Sequence, residues 1–139
     1  MRSDKNLTFA LLTYAQGQVR ISGQHEEAII VRHGGAIERI ATIDLGFPLG
    51  LEADITAWIR HVSVALHPGD GVVLYTDGIT EAADMHHRLY GIDRLCTVIS
   101  QHWARTAHDI QAAVIADVRC HIGAQKVYDD ITLVVAKQR

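Results

Sequence analysis

Apolar positions recur with two periods along this chain, close to two residues through its first half and close to four in the stretch after it. Leu7 to Tyr14 (LTFALLTY) is rich in β-branched and aromatic residues and stops at Ala15-Gln16-Gly17-Gln18, which reads as a strand entering a turn, with Val19 to Ser22 returning. Ala28 to Arg32 is a short apolar run, His33-Gly34-Gly35-Ala36 supplies a turn that tolerates positive φ, and Ile37 to Ile40 continues with alternation. The four runs together predict an antiparallel meander.

Asp44 to Asp54 (DLGFPLGLEAD) fits neither period and predicts a surface loop. From Trp58 to Leu66 the alternation puts Trp58, Arg60, Val62, Val64 and Leu66 on one face, as a half-buried strand requires. His67-Pro68-Gly69-Asp70 then turns the chain, because Pro68 presets the first corner and Gly69 accepts positive φ at the second. Val72 to Thr76 is therefore expected to return as the second arm of a hairpin.

Beyond a polar stretch, Ile92, Leu95, Cys96, Ile99 and Trp103 recur at helical spacing, and Ile110, Val114, Val118 and Ile122 do so at intervals of four. The second helix opens with a capping-box-like Thr106-Ala107-His108-Asp109 and has Gly123 where a C-terminus wants glycine. Ile131 to Ala136 (ITLVVA) reads as a central strand. The expected class is α+β, with antiparallel sheets and flanking helices.

Composition narrows the partners. A chain of 139 residues, 48% hydrophobic and 21% charged, fits one globular domain that buries roughly two thirds of its surface. Its 13 basic and 16 acidic residues are dispersed, so no basic face is available for a nucleic-acid backbone. No apolar run approaches the ~20 residues of a spanning helix, which argues against a membrane. The two cysteines, Cys96 and Cys120, form no C-x-x-C pair and lie in helical patterns, where core positions are expected; a reducing cytoplasmic setting follows. Nine histidines show no i, i+4 pair suited to a metal, and His86-His87 read as a solvated loop.

The chemistry-bearing pattern is acidic. Asp77-Gly78 follows the apolar run VVLYT, and Asp129-Asp130 precedes ITLVV. If those strands are adjacent and antiparallel, Asp77 and Asp129 converge on one end of a sheet. Clustered carboxylates repel unless a cation joins them, and such hard oxygen ligands suit Mg²⁺ or Mn²⁺. A water activated by such ions is a nucleophile for in-line attack on phosphorus, so no side-chain nucleophile is required. The alternative is that both are ordinary turn and loop aspartates.

Three blocks in order, HPGDGVVLYTDGITEA, YGIDRL and DDITLVVAK, closely resemble the L-x-P-G-D…YTDG-x-T-E-A, F-G-x-x-R-L and DD-x-T-L-V-V blocks of the SpoIIE/RsbU-type phosphatases of the PPM superfamily, and LGFPLGL is similar to their G-x-P-L-G-L loop. The resemblance implies part of an αββα sandwich that hydrolyses phosphoserine or phosphothreonine on a protein with Mn²⁺ or Mg²⁺. It makes Asp77 and Asp129 metal ligands and Gly78 a point of close backbone approach to the metal. Asp130 stands where relatives often have Asn, so it is either a ligand or a support for one. Ser22-Gly23-Gln24-His25-Glu26 stands in place of an N-A-G-H-x-P block, which makes His25 a candidate beside the substrate, with a structural or surface histidine as the alternative.

The family's G-D-x-x-D and G-H-G blocks do not occur before Leu7, so the chain is expected to be the C-terminal portion of the catalytic domain, as one domain over 1–139, and weak or inactive alone. The resemblance further implies bacterial signalling, small regulatory phosphoprotein substrates such as anti-sigma-factor antagonists, and fusion to receiver or sensor domains. Two other readings stand beside it: a non-catalytic docking module that retains the fold, and a homodimer formed through an exposed sheet edge.

Overall fold

The computed structural model describes residues 10–23, 25–43, 45, 60–125 and 130–139. They form seven strands and three helices distributed over two compact units, residues 1–27 with 40–66 and residues 28–39 with 67–139. Most of the Asp44–Asp54 loop, the start of the Leu7–Tyr14 run, Trp58 and Asp129 lie outside the described residues.

The first unit holds an antiparallel sheet of β1 (Leu11–Ala15), β2 (Gln18–Ser22) and β5 (His61–Ala65), in the order β1-β2-β5. Gln16 and Gly17 both take positive φ, 51° and 74°, the two-residue turn whose twist suits a hairpin, and Ala15 pairs with Gln18 across it. Val19, Ile21, Val64 and Leu66 are buried while Gln18, Arg20 and Ser63 are exposed, as the alternation requires.

The second unit holds β3 (Ala28–Val31), β4 (Ile37–Ile40), β6 (Gly71–Tyr75) and β7 (Leu133–Lys137), ordered β4-β3-β6-β7. Its helices are α1 (Asp77–Thr80), α2 (Ile92–His102) and α3 (Ala107–Ile122). Ile29, Val31, Val73, Tyr75 and Leu133, alternate residues of three strands, share one core with Leu95, Ile99, Ile110, Val114 and Val118 of α2 and α3. The period of two on the sheet thus meets the period near four on the helices. Thr106 caps α3 by accepting from the Asp109 N–H at 3.1 Å, and Gly123 closes it at φ 62°, both as expected.

Four expectations need correction. The turn at His67–Asp70 forms, with the Asp70 N–H donating to the His67 carbonyl and Gly69 at φ 91°, yet no hairpin follows. β5 pairs with β2, and β6 pairs with β3 and β7. Buried Asp70 explains this: its carboxylate accepts from the N–H groups of His67 and His33, both at 2.9 Å, and from Arg32 at 3.0 Å. Those donors tie the turn to the end of β3, so the chain leaves it committed to the second sheet. The expected meander is also divided, β1 and β2 in one sheet and β3 and β4 in the other. β7 is the last strand in its sheet among the described residues rather than a central one, and its burial alternates, with Val134 52% exposed. Cys96 packs at the margin of the core as expected, whereas Cys120 is exposed on α3.

Candidate functional site

β6 and β7 are adjacent and antiparallel, from Gly71↔Lys137 to Tyr75↔Leu133. The end of β6 therefore lies beside the start of β7, and the residues just past each strand share one end of the sheet. Thr76 continues the contact: its N–H donates to the Thr132 carbonyl at 3.1 Å, its hydroxyl donates to the Asp130 carbonyl at 3.1 Å, and it accepts from the Thr132 N–H at 3.1 Å. Asp77 follows at once as the first residue of α1, and Asp130 is exposed at the entry to β7. The structure thus brings the Asp77 and Asp130 backbones to the same place; Asp129 lies outside the described residues.

The one-turn helix α1 is absent from the sequence reading, because four residues are too few to show a period. It is anchored by Ile79, fully buried in the core, and by buried Gly78, which is an ordinary helical residue. The Glu81 N–H donates to the Asp77 carbonyl at 2.8 Å, and the Gly91 and Tyr90 N–H groups donate to Thr80 and Ala82 at 2.9 and 2.8 Å. Asp77 is held on a fixed turn between β6 and the start of α2.

The other half-buried and buried acids of this unit are committed elsewhere. Asp84 accepts from the N–H groups of Arg88 and His86, at 2.9 and 2.8 Å, and from the Arg88 guanidinium at 2.8 Å. The Arg88 N–H foremost, then that of His86 and the Arg88 side chain, outweigh burial and hold its carboxyl down to about 2. Asp117 takes a bidentate pair from Arg94 at 2.9 and 3.0 Å and a hydrogen bond from the Tyr90 hydroxyl at 2.7 Å. Asp77 differs: its carboxylate has no hydrogen bond or ion pair among the described residues. A half-buried carboxylate with its lone pairs uncommitted fits a hard divalent cation. Among the described residues no three His, Cys, Asp or Glu side chains converge into a complete cation site.

His25 lies in the first unit, half-buried, with its N–H donating to the Thr42 hydroxyl at 3.0 Å and its carbonyl accepting from that hydroxyl. Buried Thr42 also donates to the Glu26 carbonyl at 3.1 Å, so the local backbone is pinned by a side chain that the sequence reading did not single out. His86 and His87 are exposed in a turn, as expected. The missed residue with most bearing on the site is Thr76. By sequence it is only the last residue of the Val72–Thr76 run, and nothing in that run marks its hydroxyl.

Two antiparallel sheets with helices on the second, and an acidic strand-end site, define a PP2C-like phosphatase-domain fold. The SiaA-PP2C domain of Pseudomonas aeruginosa superposes with a TM-score of 0.75 at 21% identity, over 88% of this chain and 47% of that one. The phosphatase domain of the cell fate determinant SpoIIE from Bacillus subtilis does so with a TM-score of 0.66 at 17% identity, over 96% and 56%. The chain belongs to the SpoIIE family: the family model described as Stage II sporulation protein E matches residues 4–139. Protein IcfG of Synechocystis sp. is 25% identical over 129 residues, 92% of this chain and 20% of that protein. The chain therefore spans about half the length of the matched domains and a fifth of that relative. Among the described residues no helix is long and apolar enough to cross a membrane.

Proposed function

We propose that this chain carries part of the active site of a protein serine/threonine phosphatase that depends on Mn²⁺ or Mg²⁺ and acts on a phosphorylated regulatory protein in bacterial signalling. The observation that carries the reading is the β6–β7 pair, which sets Asp77, whose carboxylate has no partner among the described residues, beside the entry of Asp130 into β7. Asp77, Asp129 and Asp130 are the carboxylates assigned to the metal side, completed by ligands outside this chain, and a phosphatase domain of which this chain spans about half is consistent with that division. When bound, the cation supplies charge neutralisation at the phosphoryl oxygens and an activated water. The chain's own residues orient: α1 fixes Asp77 through Ile79 and the Glu81 N–H, and the turn at Tyr90–Gly91 holds the far end of α1.

The test is phosphate release from phosphoserine and phosphothreonine peptides as a function of Mn²⁺, for this chain alone, for the parent polypeptide, and for the parent with Asp77→Asn. The expected result is little release from the chain alone, metal-dependent release from the parent, and a loss of at least about 100-fold in the variant, larger than the loss of a residue that only supports a ligand. Release that ignores Mn²⁺, or survives Asp77→Asn, refutes the assignment. A parent that neither binds Mn²⁺ nor releases phosphate leaves the docking-module reading in its place.

A further inference from the structure

Thr76 stands where a helix-capping hydroxyl belongs and is not used as one. It precedes α1 in extended conformation, φ −98° and ψ 158°, with no side-chain capping hydrogen bond. A threonine there ordinarily satisfies one of the unpaired N–H groups of the first helical turn. Here the hydroxyl is diverted across the sheet, accepting from the Thr132 N–H and donating to the Asp130 carbonyl, each at 3.1 Å. The regular pairing of β6 with β7 ends at Tyr75↔Leu133. Beyond it, the Thr76 N–H still donates to the Thr132 carbonyl, and the Thr76 hydroxyl joins the residue before Asp77 to the main chain of Asp130.

We propose that Thr76 is a positioning residue of the metal site, one that sets the spacing between Asp77 and Asp130 at the expense of its own helix cap. The inference rests on the reading of these aspartates as metal-side carboxylates. Groups that orient ligands without touching the ion commonly change metal affinity by 10–100-fold when removed. Val keeps the shape and the main-chain bond to Thr132 but removes both hydroxyl bonds, whereas Ser keeps the hydroxyl.

The experiment is a Mn²⁺ titration followed by paramagnetic broadening of backbone amide signals, on the wild type, Thr76→Val, Thr76→Ser and Asp77→Asn. Broadening registers weak binding as well as tight, so it does not require a complete ligand set. The wild type is expected to broaden residues 76–78 together with 130–132. In Thr76→Val the apparent affinity falls about 10-fold and the 130–132 signals no longer respond in step with 76–78, with a Tm within about 5 °C of the wild type. Thr76→Ser recovers the wild-type pattern. Wild-type affinity and pattern in Thr76→Val, or no recovery in Thr76→Ser, overturns the positioning role while the metal reading stands. A wild type with no broadening at these residues, or Asp77→Asn that titrates like it, overturns the metal reading and the role of Thr76 with it.

Discussion

Asp70 decides which sheet the chain enters after its central turn, and its removal has a calculable cost. Asp70 is 3% exposed, and its carboxylate accepts three hydrogen bonds, two from main-chain N–H groups and one from Arg32. Asp70→Ala leaves the His33 and His67 N–H groups without that acceptor. Arg32 keeps its two bonds to Glu38 at 2.9 and 3.0 Å, so its loss is partial. Hydrogen bonds to a charged group contribute about 1.5–3 kcal/mol each, and breaking a buried pair costs about 3–5 kcal/mol. With Arg32 half-buried and still paired, the low end applies, about 3 kcal/mol. For a chain of 139 residues that lowers Tm by roughly 10 °C.

The pH dependence gives a second handle on the same residue. Burial pushes the Asp70 carboxyl up, but the His67 N–H, Arg32 and the His33 N–H together outweigh it and leave the group below its ordinary value of 3.8. A carboxyl depressed in the folded state stabilises above its unfolded value, and the contribution is lost as pH falls through the folded one. The gap between wild type and Asp70→Ala in urea unfolding should therefore be constant from about pH 5 to 7 and narrow below about pH 4. A gap under about 1 kcal/mol at pH 7, or one that widens on acidification, would refute the argument that these three bonds hold the turn.

Two further outcomes follow from the packing. Tyr90 is buried, and burial first, then its hydrogen bond to Asp117, pushes its phenol above the ordinary range; Tyr90→Phe should leave the ultraviolet titration of the folded protein near pH 10 unchanged and remove one ionisation from that of the unfolded chain, and wild-type stability should fall as pH rises past 10 because Tyr90 ionises there only when unfolded. Gly71→Ala would place a Cβ 2.3 Å from the Ala136 carbonyl oxygen and 2.7 Å from the Trp103 ring, so the β6–β7 register must give way, at a cost of about 1–3 kcal/mol in urea unfolding; an unchanged midpoint would show that β7 is not held there.

The local elements of this protein were legible because their causes are local. Period-two alternation marked β5, spacing by four marked α3, and Thr106 and Gly123 marked its ends, since a cap bonds residues three or four apart. Asp77 and the Asp129-Asp130 pair were picked out for the same reason, as polar residues abutting apolar runs. What no window of sequence contains is which strand pairs with which. Val72 to Tyr75 is equally suited to β5 and to β3, and the choice is made by Asp70 meeting Arg32 and His33, partners 37 and 38 residues away. Thr76 shows the same limit at the site itself. By sequence it only ends the Val72–Thr76 strand, and the arrival of β7 from more than fifty residues downstream supplies the Asp130 carbonyl and Thr132 N–H that engage its hydroxyl. Short-range hydrogen bonds and hydrophobic period are written into neighbouring residues; sheet order and the geometry of a site shared between strand ends arise from contacts between distant ones, which exist once the chain has folded.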